Sequence, residues 1–291
     1  QIYIQNLISK PFDLSSDFMV RAHLIDLGQD EYKLVVIMHH IASDGWSTSV
    51  IVKELVELYR SYEEGVSPSL DEISIQYADY AIWQRTFMTT NFLETKLHYW
   101  KEKLDGLIPL ELPTDFNRPL IQSNKGAALE FNIEKELSDQ LSMLAQQQGV
   151  TTFMTLLAAF KVLLFRYTGQ NDVCVGTPIA GRQQKEVENL IGYFVNTLAL
   201  RTYVSGDQSF QSFLEDVRAT TLEAYDHQEV PFEKVVEATA KDRDMSRNPL
   251  FQVMFVWVNN QEISKLRFGE VQLTNETIPP NATQFDLTFS L

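Results

Sequence analysis

Apolar and polar positions change period several times along the chain, and each change marks an element. Residues 18–27 alternate as a half-buried strand does and close at Gly28, whereas 34–38 (Leu-Val-Val-Ile-Met) are apolar throughout, the pattern of a strand covered on both faces. The turn signal at 27–31 predicts that these two strands pair. Beyond Ser47, read as an N-cap, Val50, Ile51, Leu55, Leu58, Tyr59 and Tyr62 recur at three and four, which predicts a helix that Gly65 and Pro68 end. Residues 77–85 form an aromatic helical stripe, and Leu93, Leu97, Trp100 and Leu104 line one face of the next helix. Residues 107–119 hold three prolines and no periodicity, so they are the expected hinge, with lobes at 1–112 and 113–291. After it, 127–133 reads as a strand, 137–148 and 152–167 as helices, 172–178 as an apolar strand, 191–201 as a strand carrying Asn196 and Thr197, and 210–225 as a helix. Residues 250–258 and the closing FDLTFSL read as further strands. Strands interleaved with helices predict a mixed α/β class, α/β or α+β, with mixed sheets.

Composition narrows the functional classes. With 291 residues and 44% hydrophobic content the chain buries a sizeable core. A formal net charge of −15 argues against nucleic acid, whose phosphates call for a basic patch. The most apolar stretch, 153–165, is interrupted by Lys161, so it reads as a core helix and no membrane partner is expected. A single cysteine, Cys174, lies in an apolar run as a buried structural thiol; no disulfide can form within the chain, which suits a reducing, cytoplasmic setting.

Candidate chemistry sits where the second strand ends: His39, His40, Ile41, Ala42, Ser43, Asp44, Gly45. Side chains alternate along a strand, so the two imidazoles diverge and are poorly placed to hold one metal ion together. Two readings stand side by side: satisfied core histidines beside an ordinary turn, or a general base positioned by a strand end, a tight turn and a helix start.

These residues match the HHxxxDG motif, and the chain resembles the condensation domains of non-ribosomal peptide synthetases. Further motifs follow in the family's order: YxDYAxW at Tyr77, Asp79, Tyr80, Ala81 and Trp83; IGxFVNT at 191–197; HQxxPFE at 227–233; and RDxSRNPL at 243–250. The family's opening S-A-Q segment, its arginine-rich helix and its C-terminal helical end have no counterpart, so a domain truncated at both ends is expected. Heterocyclisation domains carry aspartates where His39 and His40 stand, and epimerisation domains a GHGRE-like segment that is absent here.

The resemblance implies a two-lobed, chloramphenicol-acetyltransferase-like fold with its active site between the lobes. It also implies amide formation between a donor acyl or peptidyl thioester and the amine of an acceptor aminoacyl thioester. Both would be carried on the 4'-phosphopantetheine arms of donor and acceptor peptidyl carrier domains, with an adenylation domain adjacent. The domain itself is expected to bind no cofactor and no metal. His40, Asp44 and Gly45 are the expected catalytic positions, His40 presenting or deprotonating the amine. His39, Asn196, Arg182, Arg243 and Arg247 are assigned support, the three arginines as candidate partners of Asp44, and Trp46, Tyr77 and Trp83 are candidate tunnel walls. Alternatives are a catalytically inactive member of the fold that recruits a partner protein, and a free-standing acyltransferase.

Overall fold

The structure, a computed structural model, describes residues 2–240, 244–258, 267–268, 271–272, 274, 276 and 282–291. In chain order the elements are α1 (Ile2–Ser9), β1 (Val20–Gly28), β2 (Glu31–Met38), α2 (Gly45–Glu64), α3 (Tyr77–Phe87), α4 (Thr90–Leu104), α5 (Lys135–Gln147), α6 (Thr152–Thr168), β3 (Asp172–Ile179), β4 (Asn196–Tyr203), α7 (Phe210–Tyr225), α8 (Phe232–Thr239), β5 (Val253–Val256), β6 (Arg267–Phe268), β7 (Val271–Gln272) and β8 (Leu287–Ser290). They form two compact units, each discontinuous in sequence. One comprises Gln1–Arg85, Arg182–Val195 and Asn260–Asn275; the other Thr86–Gly181, Asn196–Asn259 and Glu276–Leu291.

In the first unit β1 and β2 make an antiparallel ribbon with Val20 opposite Met38, Ala22 opposite Val36 and Leu24 opposite Leu34. The strand expected to be covered on both faces is covered on one: Leu24 and Leu34 are 69% and 46% exposed, while Val35 and Ile37 on the other face are half-buried. An apolar run records what a strand can bury, not which neighbours are there to bury it. The strand also stops at Met38, and a 3-10 turn over His40–Ala42 follows, so strand alternation does not govern the two histidines.

In the second unit a four-stranded mixed sheet runs β4-β3-β5-β8, with β3 antiparallel to β4 and parallel to β5, and β5 parallel to β8. The helix α6 owes its limits to Thr151, whose hydroxyl accepts from the Met154 amide at 3.2 Å, and to Gly169, the left-handed residue that ends it. Its apolar side chains, Leu157 among them, join Trp100, Val173, Val175, Leu200, Phe251 and Phe255 in one continuous core. Lys161 points into that core with no exposed surface, donating from Nζ to the Leu200 carbonyl and to Thr202 Oγ1, each at 2.7 Å.

Two stretches expected as strands depart from that pattern. Residues 127–133 form no strand, with Leu129 90% and Phe131 56% exposed. Their alternation has no ladder to join; the nearest described pairing is the single bridge from Lys125 to Ala282. Residues 191–195 likewise stay outside β4, which begins at Asn196. Asn196 is saturated: Nδ2 donates to the Gln228 and Val230 carbonyls, both at 2.8 Å, and Oδ1 accepts from the Thr197 and Phe232 amides at 2.9 and 3.0 Å. The loop before α8 is thereby tied to the start of β4. His227 belongs to the same fastening, its ring stacked on Tyr99 at 4.0 Å and its carbonyl accepting from Trp100 Nε1 at 3.1 Å.

Candidate active site

The site lies in the first unit and is built from the segment between β2 and α2, the first turn of α2, the start of α3 and residues 182–194. Helix α2 begins at Gly45, and its N-cap is Asp44 rather than the Ser47 expected from sequence. Asp44 Oδ1 accepts from the Ser47 amide at 2.8 Å and from Ser47 Oγ at 2.7 Å, which satisfies donors that the first helical turn leaves unpaired. Ser47 is an attractive cap by residue type, but three positions into the helix it serves as the hub beneath the cap. It is fully buried, and its Oγ accepts from the Gly192 amide and from Arg182 Nη2, each at 3.1 Å.

Arg182 is the arginine that meets Asp44. Nη2 lies 3.1 and 3.3 Å from the carboxylate oxygens, and Nη1 donates to the Val187 and Leu190 carbonyls at 2.5 and 2.7 Å. The guanidinium stacks 4.0 Å from the Phe194 ring, and the Phe194 amide donates to Asp44 Oδ2 at 3.0 Å. The two side chains are 1% and 3% exposed. Burial pushes the Asp44 carboxyl upward, but the hydrogen bonds from Ser47 and Phe194 and the charge of Arg182 outweigh it and hold the group below its ordinary value. Asp44 is therefore a fixed anion whose lone pairs all face inward. With both oxygens so engaged, Asp44 cannot share a metal ion with the histidines, and among the described residues no group of three His, Cys, Asp or Glu side chains could hold one.

The two histidines are set in opposite tautomers by their own backbone. His39 Nδ1 accepts from the Ile41 amide at 3.1 Å as cap of the 3-10 turn, so in the neutral ring the proton is on Nε2; the ring packs edge-on against Phe12 at 5.7 Å. His40 Nδ1 lies 2.6 Å from the Ser43 carbonyl. A carbonyl only accepts, so Nδ1 carries the proton and Nε2 keeps its lone pair. His40 is exposed, and among the described residues nothing donates to that Nε2. Gly45, the first residue of α2, is exposed, and a Cβ at that position would meet nothing within 4 Å.

The remaining expected positions divide. Trp46 donates from Nε1 to the Glu188 carbonyl at 2.8 Å while staying 47% exposed. Tyr77 donates its hydroxyl to the Tyr193 carbonyl at 2.7 Å and packs edge-on against Phe194. Trp83 lies further along α3, its ring 5.7 Å from Tyr80. Asn196 and Arg247 belong to the other unit; Arg247 Nε sits 3.1 Å from Asp244 Oδ2 and Nη1 3.5 Å from Glu111. Arg243 lies outside the described residues. Sequence reasoning misses Ser47, Tyr193 and Phe194 as members of the site; the available signal is the placing of polar and aromatic residues around Gly192. That glycine is required by close approach, since a Cβ there would stand 2.3 Å from Tyr77 Cδ2.

Compared with known proteins, the chain matches a family model described as the Condensation domain over residues 1–291. It is 45% identical over 290 residues to a linear gramicidin synthase polypeptide of Brevibacillus parabrevis, covering 99% of the chain and 6% of that protein. It is 44% identical over 281 residues to the malpinin synthetase of Mortierella alpina, covering 96% of the chain and 4% of that protein. Among solved structures it resembles the X-domain from teicoplanin biosynthesis in its complex with OxyB, with a TM-score of 0.85, 28% identity and coverage of 99% of this chain and 64% of that one. It also resembles a holo four-domain nonribosomal peptide synthetase bound to AMP and glycine, with a TM-score of 0.80, 29% identity and coverage of 90% and 20%. The chain thus spans a small part of the synthetases it matches.

Proposed function

We propose, from the premise that the chain belongs to the condensation-domain family, that it joins a donor acyl or peptidyl thioester to the amine of an acceptor aminoacyl thioester within a non-ribosomal peptide synthetase. The observation that carries this reading is the free Nε2 lone pair of the exposed His40, held by the 2.6 Å contact of Nδ1 with the Ser43 carbonyl. Attack of a neutral amine on a thioester forms a C–N bond and breaks a C–S bond. The amine nitrogen sheds one proton and the departing thiolate gains one, so a group that takes and returns a proton balances the step without a nucleophilic residue or ATP. A neutral imidazole has the basicity for this near neutral pH. Asp44 and Arg182 do no proton transfer in this account; they fix the turn that presents His40 and start the helix whose first amides face the site. The Gly45 amide is available to a developing oxyanion on the carbonyl.

The substrates reach the site on the 4'-phosphopantetheine arms of donor and acceptor peptidyl carrier domains, with an adenylation domain supplying the acceptor and the whole working in the cytoplasm. Among the described residues no single helix is long and apolar enough to cross a membrane. The likeness to an X-domain seen with OxyB favours a second reading, a docking module for a partner protein. One assay separates them: single-turnover amide formation between loaded carrier domains in the polypeptide that contains this chain. Condensation predicts product, lost by about 10² to 10⁴ in His40→Ala. Partner binding without product, or a variant within a few fold of wild type, refutes it.

A further inference from the structure

Tyr193 stands at the unspecified position of the IGxFVNT pattern, yet its backbone is held on three sides. The residue before it is held through the Gly192 amide on Ser47 Oγ at 3.1 Å, and the peptide after it through the Phe194 amide on Asp44 Oδ2 at 3.0 Å. Its own carbonyl accepts from Tyr77 at 2.7 Å. From this three-point mounting the ring reaches His40 edge-on, with centroids 5.3 Å apart and planes at 77°, while Tyr193 stays 43% exposed. A large side chain on a rigid mount, against the His40 imidazole whose Nδ1 is held by the Ser43 carbonyl, has the placement of a wall.

We propose that Tyr193 is a positioning and specificity-determining residue: its ring holds the His40 imidazole at the angle that presents Nε2 and narrows the approach by which the acceptor amine arrives. The inference rests on the function proposed above. An edge-to-face contact restricts ring rotation, and small misplacement of a reacting group costs rate out of proportion to its size. The three mounting bonds are made by backbone groups of residues 192–194, so none of them requires a tyrosine at position 193, as a position that tunes selectivity demands.

The test compares Tyr193→Ala and Tyr193→Phe in the polypeptide that contains this chain, with two readouts. The first is amide formation under multiple turnover with two acceptors, one small (glycyl) and one with a bulky side chain. The second, independent of turnover, is the rate at which diethylpyrocarbonate modifies His40, read by peptide mass mapping. Tyr193→Ala is expected to lower kcat about tenfold with KM for the acceptor carrier unchanged, to shift preference toward the bulky acceptor, and to speed modification of His40 several-fold. Tyr193→Phe is expected to rescue both readouts. Unchanged kcat, preference and modification rate in Tyr193→Ala overturn the proposal, as does a Phe variant as impaired as the Ala variant. If modification quickens while the wild-type protein forms no amide, the wall stands and the condensation reading falls, so the two failures are distinguishable.

Discussion

Replacing Arg182 by methionine keeps the bulk of its apolar stem and removes its charge from a place that has almost no access to water. Asp44, 3% exposed in its side chain, would then be a buried anion with only the Ser47 amide, Ser47 Oγ and the Phe194 amide to stabilise it. Removing one partner of a buried ion pair costs about 3–5 kcal/mol, and the Val187 and Leu190 carbonyls lose their donors as well. We take about 4 kcal/mol, which corresponds to nearly three decades in an opening equilibrium. Gly192 and Phe194 report it directly, because their amides are bound to Ser47 Oγ and Asp44 Oδ2. Their hydrogen–deuterium exchange is predicted to quicken about 10³-fold in Arg182→Met. Adding Asp44→Asn, which retains an acceptor for Ser47 and removes the unpaired charge, is predicted to recover part of the loss, so the double variant is less destabilised than the sum of the singles. Arg247→Met, which breaks more exposed pairs with Asp244 and Glu111 in the other unit, should leave these amides unchanged. A rise of less than tenfold in Arg182→Met, or strict additivity with Asp44→Asn, would refute the claim that this pair holds the site together.

Two further outcomes follow from named contacts. Burial holds the Lys161 pKa down at about 7 against 10.5 for the free side chain, so above pH 7 the unfolded chain binds more protons and stability climbs by about 1.4 kcal/mol per pH unit. The contribution is lost as pH falls to 7. Above about pH 9 the rise flattens, because burial pushes the Cys174 thiol from 9.0 to about 12 and folding there opposes deprotonation. Urea midpoints from pH 6 to 10 check this; Lys161→Met should abolish the rise between pH 7 and 9, and a flat wild-type curve there would contradict it. Gly192→Ala drives a methyl into the Tyr77 ring, 2.3 Å from Cδ2, and is predicted to cost about 1–3 kcal/mol in urea unfolding. Tyr77→Leu should relieve it, and a cost below about 0.5 kcal/mol would show that the approach is loose.

Much of the fold is legible locally. Helix α6 can be delimited because Thr151 and Gly169 act on neighbours three or four residues away, and its apolar run signals the depth of its burial. The ribbon of β1 and β2 follows from a turn between two short strands. Residues 127–133 mislead because alternation states a preference for a sheet face and cannot say whether a partner strand exists. Ser47 reads as the cap because Ser and Asp satisfy the same donors; the choice is made by Arg182 and Gly192, both more than a hundred residues away in sequence. Sequence leaves Arg182 as one of three arginines, since nothing local pairs residues so distant. The motif finds His40 but not its tautomer: that depends on a backbone carbonyl three residues on, brought within 2.6 Å by a 3-10 turn that a strand reading does not anticipate.

Proton transfer at this site depends on which nitrogen of His40 carries the proton. Nitrogen-15 NMR of histidine-labelled protein at about pH 8, above the ordinary titration range of histidine, reads it directly. The prediction is a protonated Nδ1 and a free Nε2 for His40, with the reverse tautomer for His39. A proton on Nε2 of His40 would leave no base facing the substrate and would contradict the mechanism.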